Sequence, residues 1–194
     1  MAGRPREFDR DDVLGRAVDV FWRQGFEATS MEDLTAAMGI GRGSLYNEFG
    51  GKHALFVAAL DRYRADRRAQ LEDALASAES VRAGVAEVYR RSIDTLWGDA
   101  TRRGCMLVNS AAELAASDPA VAERVEAAFA RFAVTFRAAV ERGVRAGELD
   151  PALDAPAVAN HLAGTLVALR LLAKFADRRA GEDMAAGALR TLEP

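Results

Sequence analysis

One cysteine, two histidines and two lysines are all this chain offers of three residue types on which many enzymes and metal proteins depend. A lone Cys105 excludes a disulfide framework and any zinc-ribbon arrangement, since both need partners. His53 and His161 leave little for acid–base chemistry, and with a single soft ligand they form no metal constellation. Neither a glycine-rich phosphate loop nor a nucleophile elbow is present. The reading is therefore no enzyme, no catalytic residue, no cofactor and no metal. Prolines number only five in 194 residues, and runs of β-branched residues are missing, which disfavours strands. The longest apolar run, over 162–169, stops at Arg170, short of the ~20 residues that cross a bilayer. No apolar leader follows Met1. These absences predict a cytoplasmic protein without a membrane partner. The net charge of −3 excludes a globally basic nucleic-acid coat but not a local binding face.

What is present is material for a core: 50% hydrophobic residues beside 28% charged ones, which also excludes a disordered tail. Apolar positions recur at threes and fours throughout, so the expected fold is all-α with about nine helices. The first runs over 11–24, with Leu14, Ala17, Val18, Phe21 and Trp22 on one face and Gly25 at its end. Ser30 then opens a short helix over 31–38, and Asp33 completes a capping box. The turn Gly39-Ile40-Gly41 leads to another short helix over 42–49, broken by Gly50-Gly51, and a fourth helix starts at Lys52. Past residue 65 the helices lengthen and alanine dominates. Two units are expected, 1–65 and 66–194, bridged by a helix over 60–75.

Two short helices joined by a tight glycine turn and braced by a third make a helix-turn-helix layout, whose second helix lies in the major groove. Leu45 and Phe49, four apart, point inward. Arg42, Gly43, Ser44, Tyr46 and Asn47 remain for the groove. Arg42 suits guanine edges, Asn47 adenine, and Ser44 either base or phosphate. Tyr46 and Lys52 are placed to hold phosphates. A trihelical unit used for protein contacts, without sequence-specific DNA binding, is the competing reading of the same residues.

Three blocks in order carry a specific resemblance: Gly25-Phe26-Glu27-Ala28-Thr29-Ser30, then Ala37-Met38-Gly39-Ile40-Gly41-Arg42-Gly43-Ser44-Leu45-Tyr46-Asn47-Glu48-Phe49, then Lys52-His53-Ala54-Leu55-Phe56. Residues 8–60 resemble the DNA-binding domain of TetR-family repressors. The resemblance implies a helix-turn-helix over about 29–48, with Thr29, Ser30 and Gly41 joining Arg42, Gly43, Ser44, Tyr46, Asn47 and Lys52 at the DNA. It also implies a basic arm carrying Arg4 and Arg6. Glu48 and His53 depart from the family's usual residues at their positions. Residues 1–64 hold nine basic and ten acidic side chains, so binding must rest on a few placed groups.

In the second unit, helices are expected over 81–96, 105–114, 119–147, 156–179 and 182–192, with Gly181 separating the last two. Cys105, preceded by Arg102 and Arg103 at a helix start, sits where a thiolate is favoured. The segment 102–114 resembles the start of the ligand domain's central helix in a TetR subgroup that senses oxidants, electrophiles or copper through such a cysteine. A small buried hydrophobe is the competing reading of Cys105. Trp97, Cys105, Met106, Asn109, Glu113, Phe132, Phe136 and His161 are the candidates for binding or sensing an effector. The resemblance further implies double-stranded operator DNA, a small-molecule effector and a second copy, paired through about 156–192, as partners. The expected function is a ligand- or stress-responsive repressor that binds palindromic DNA as a homodimer.

Overall fold

The computed structural model describes residues 8–193, and every regular element among them is a helix. In chain order these are α1 (Arg10–Gln24), α2 (Met31–Met38), α3 (Arg42–Phe49), α4 (Lys52–Ala76), α5 (Val81–Gly98), α6 (Met106–Leu114), α7 (Pro119–Arg145), α8 (Ala155–Leu172) and α9 (Arg178–Leu189). A 3-10 turn, Arg190–Leu192, closes the bundle. Arg4 and Arg6, the expected arm, lie outside the described residues.

The helix starts follow local chemistry. Aspartates cap four of them: Asp9, Asp118, Asp154 and Asp177 each accept from backbone N–H groups of the first turn. Ser30 and Asp33 form the reciprocal capping box that opens α2. Gly39 ends that helix at φ 68°, ψ 26°, a left-handed conformation that suits glycine.

α1 lies across α4, where Phe21 meets Phe56 edge-on at 5.0 Å and Trp22 meets Tyr63 at 5.1 Å. α4 continues as a single 25-residue helix through residue 65, where the sequence pattern changes, and packs on α5 and α7. α7 against α8 is the broadest contact of the second half, and the Tyr89 hydroxyl ties α5 to α8 by donating to Leu162 O at 3.0 Å. The buried cluster runs unbroken from Val13 to Leu192.

The largest departure from the sequence reading is at the last two helices. The helix expected over 156–179 stops at Leu172, and Asp177 caps a new one that runs through Gly181. Gly181 is not a breaker. A Cβ there would stand 2.7 Å from Trp97 Cη2, so the glycine lets the indole approach α9 closely. α8 is long and apolar enough to cross a membrane by length and composition alone, and here it packs along α7 as a core helix. Its outer side leaves Ala157, His161, Gly164 and Leu171 exposed, and Phe175 beyond it is 67% exposed.

Candidate nucleic-acid interface

α3 is held by two anchors. Leu45 is fully buried and Phe49 is 8% exposed, while Gly41, Arg42, Gly43, Ser44, Tyr46 and Asn47 all face outward. Among the described residues no side chain caps the start of α3, so its first amide groups stay open. Arg42 lies 3.8 Å from Glu32 of α2 and its guanidinium stands 6.0 Å from the Tyr46 ring centre. Both partners of that ion pair are well exposed, and such a pair holds a side chain only weakly. The guanidinium is therefore steered but free to swing onto a base edge.

Two of the expected DNA contacts are otherwise occupied. Thr29 is 1% exposed and its hydroxyl donates to Gly25 O, which removes it from the surface. Its place is to close the α1–α2 loop. Ser30 is exposed, but its hydroxyl is committed to Asp33, accepting from the backbone N–H at 3.0 Å and donating to the carboxylate at 2.7 Å. These bonds hold the Asp33 carboxyl below the ordinary aspartate value. Lys52 lies over the Phe26 ring at 4.4 Å, with Nζ 3.4 Å from Glu27 O, so it borders the interface half-buried. Glu48, the unusual acid in α3, turns away from the exposed face and accepts from Arg10 Nε of α1 at 2.9 Å. Arg10 in turn covers the Phe49 ring at 5.2 Å. The acid braces the helix and leaves its outer face free of negative charge from that position.

Polar bridges then connect this head to the helices behind it. The Glu113 carboxylate, at the end of α6, accepts from Phe26 N at 3.1 Å and Glu27 N at 2.8 Å. His53 Nε2 meets Asp118 Oδ2 at 2.6 Å, and that hydrogen bond keeps the Asp118 carboxyl below its ordinary value. Trp22 Nε1 donates to Gly104 O at 3.0 Å, while the Arg103 guanidinium stacks on the Trp22 ring at 4.1 Å.

The effector candidates do not converge. Cys105 is buried at the N-cap of α6 and accepts from the Tyr63 hydroxyl, 3.6 Å away. It lines a cavity of ≈ 60 Å³ with Trp22, Tyr63, Arg67, Leu166 and Arg170 among its walls. Phe132 reaches this region from behind, with Arg170 stacked on its ring at 4.7 Å. The others sit elsewhere. Met106 and Phe136 are core residues, the latter packed on Tyr89. Trp97 donates to Ala176 O beside α9, and Asn109 bridges Arg103 O and Lys174 Nζ at the surface. Glu113 is the bridge to the head, and His161 lies on the exposed side of α8. Sequence reasoning missed Trp22, Tyr63, Arg67 and Arg170. Only Arg170 carried a local signal, a single charge interrupting the apolar stripe of its helix.

The family model described as "Bacterial regulatory proteins, tetR family" matches residues 13–59, and that for "Tetracyclin repressor-like, C-terminal domain" matches 82–189. An uncharacterized HTH-type transcriptional regulator of Bacillus subtilis (strain 168), YezE, is 32% identical over 89% of this chain and 89% of its own length. The HTH-type transcriptional repressor ComR of Escherichia coli (strain K12) is 33% identical over 82% of this chain and 77% of its own. A cysteine-substituted form of the TetR family transcriptional regulator CifR, solved with 26-bp double-strand operator DNA, superposes with a TM-score of 0.86 at 36% identity, covering 97% of this chain and 98% of that one.

Proposed function

The chain belongs to the tetR family of bacterial regulatory proteins, and on that premise we propose that it represses transcription by presenting two copies of α3 to successive major grooves of an operator. It is a DNA-binding transcriptional regulator of a family that dimerises and answers to small effectors. The observation that carries the reading is the presentation of α3: two buried anchors, and an outer face made of Arg42, Gly43, Ser44, Tyr46 and Asn47. Arg42 and Asn47 read base edges, Ser44 and the open amides of α3 take phosphate oxygens, and Tyr46 and Lys52 border the backbone. Arg4 and Arg6 extend the contact into the minor groove.

One short helix gives little specificity, so a second copy is needed. The exposed stripe of α8, with Ala157, Gly164 and Leu171, supports pairing there: small side chains let two helices approach closely, and Leu171 and Phe175 gain burial. Residues 1–65 act as the reading head and 66–194 as the regulatory and dimerising body. The cavity beside Cys105 lies where α1, α4, α5 and α8 meet the cap of α6, and the far end of α6 grips the α1–α2 loop through Glu113. An effector that displaces α6 thereby alters the spacing of the two heads, and linkage requires operator DNA to weaken effector binding by the same factor. Such a regulator works in the cytoplasm, where the chromosome is.

The test is a mobility shift at physiological salt with the promoter fragment upstream of its own gene against random genomic fragments. A retarded promoter complex resisting random competitor is expected. Equal binding to all fragments, or none, favours the helical protein-interaction module instead.

A further inference from the structure

Arg170 is the anomaly of the body. It is 6% exposed, and among the described residues its Nη1 has no hydrogen-bond partner and no carboxylate pairs with it. Its one close neighbour of note is the Phe132 ring. Arg67, across the same cavity, likewise leaves Nε buried and unpartnered and lies 5.0 Å from the Tyr63 ring centre. Arginine does not lose its proton, so a buried guanidinium needs a counter-charge. The walls supply none. Among the described residues no aspartate or glutamate lines the cavity, and the third arginine there, Arg91, is already neutralised by Asp73 at 2.8 Å and Glu87 at 2.7 Å. The Tyr63 phenol, which burial keeps in its neutral form, has among the described residues only the Cys105 sulfur, a weak acceptor, within reach.

Resting on the effector reading above, we propose that this cavity binds a small organic acid, its carboxylate held by Arg67 and Arg170 with a third hydrogen bond from Tyr63. Guanidinium groups are matched to carboxylates in geometry and charge. Leu71, Val88 and Leu166 supply the apolar wall for the rest of the molecule. The ≈ 60 Å³ available is the space of about two waters at ~30 Å³ each, which restricts the ligand to a short-chain acid. The acid also explains a route to the DNA. Its carboxylate takes the Tyr63 hydroxyl from Cys105, the N-cap residue of α6, and so loosens the start of the helix whose end holds the head.

Sodium butyrate, with butyramide as its uncharged isostere and inorganic phosphate as a bare anion, tests this on the full-length protein by thermal unfolding at matched ionic strength. A saturable rise in Tm with butyrate alone is expected. Arg170→Met should weaken butyrate about ten- to hundredfold, the usual consequence of losing a charge-assisted bond. It should also raise the Tm of the free protein, because an unpaired buried charge is gone. Arg67→Gln, at a half-buried position, should weaken butyrate severalfold and decides the matter if the first variant does not fold. Equal shifts with butyramide, equal shifts with phosphate, or an unchanged butyrate shift in both variants would overturn the proposal. Operator binding separates the two readings. Butyrate bound with operator affinity unaltered sinks the effector role and leaves the acid site standing. Intact operator recognition with no butyrate binding sinks the acid site alone.

Discussion

The head, α1 to the start of α4, and the body, α5 to α9, are built from the same short-capped helices, yet they store function differently. In the head, the groove-facing groups Arg42, Gly43, Ser44, Tyr46 and Asn47 come from consecutive turns of one helix, so their order along the chain is their order on the surface. Behind it, the groups that meet around one cavity come from α1, α4, α5, α8 and Cys105 at the cap of α6, and Trp22 lies far from Arg170 in sequence. A groove is read by one edge of a rod. A pocket needs convergence, and convergence is a property of packing.

The comparison breaks most sharply if head and body prove to be independent. Phe136 is fully buried in the body, and Phe136→Ala should cost about 3–5 kcal/mol of stability in urea unfolding. Because the buried cluster is continuous from Val13 to Leu192, one transition is expected, with the head's signal moving together with the body's. Two separated transitions would show that the head stands alone.

Next in size is the head's own chemistry. Arg42→Ala should remove ~1–3 kcal/mol of specific operator binding and relax the preference at one base position. Fluorescence anisotropy against operator and scrambled duplexes checks it, and an equal loss on both would move Arg42 from base to phosphate.

Ser30→Ala tests whether Ser30 serves structure or DNA. As the cap of α2 it should cost about 0.5–2 kcal/mol of stability. Under strongly stabilising conditions operator affinity per folded molecule should be little changed. A large residual loss of affinity would return Ser30 to the interface.

The smallest effect is expected at the junction of the two regions. Asp118 has its carboxyl lowered chiefly by the hydrogen bond from His53, so the bond's contribution is present above the ordinary carboxylate value of 3.8 and is lost as the pH falls through the lowered one. His53→Ala should therefore flatten the acid limb of the stability–pH curve. An unchanged acid limb would mean the bridge carries no linkage.

Much of the fold was legible because its signals are local. The capping box at Ser30, Pro119 behind Asp118 and the glycines after α2 and α3 all act within a few residues of themselves, and α2 and α3 have the bounds their spacing predicts. Gly181 misled for the opposite reason. Its meaning depends on Trp97, a residue of another helix, and the break fell instead at 173–176 before the Asp177 cap. Thr29 belongs to the same class, since a hydroxyl in a recognition motif reads as a DNA ligand until its bond to Gly25 O is seen.

From its residue order alone, then, the chain determined an all-helical build, the presence of a helix-turn-helix and the identity of the side chains α3 offers, because periodicity, caps and turn glycines are short-range physics. Only the folded molecule decided that Glu48 is a brace, that Glu113 and His53 are bridges between the two regions, and that two unpaired guanidinium groups share a cavity with Tyr63 and Cys105. Those roles depend on which distant surfaces come within hydrogen-bond reach, and no local pattern encodes a charge that is missing its partner.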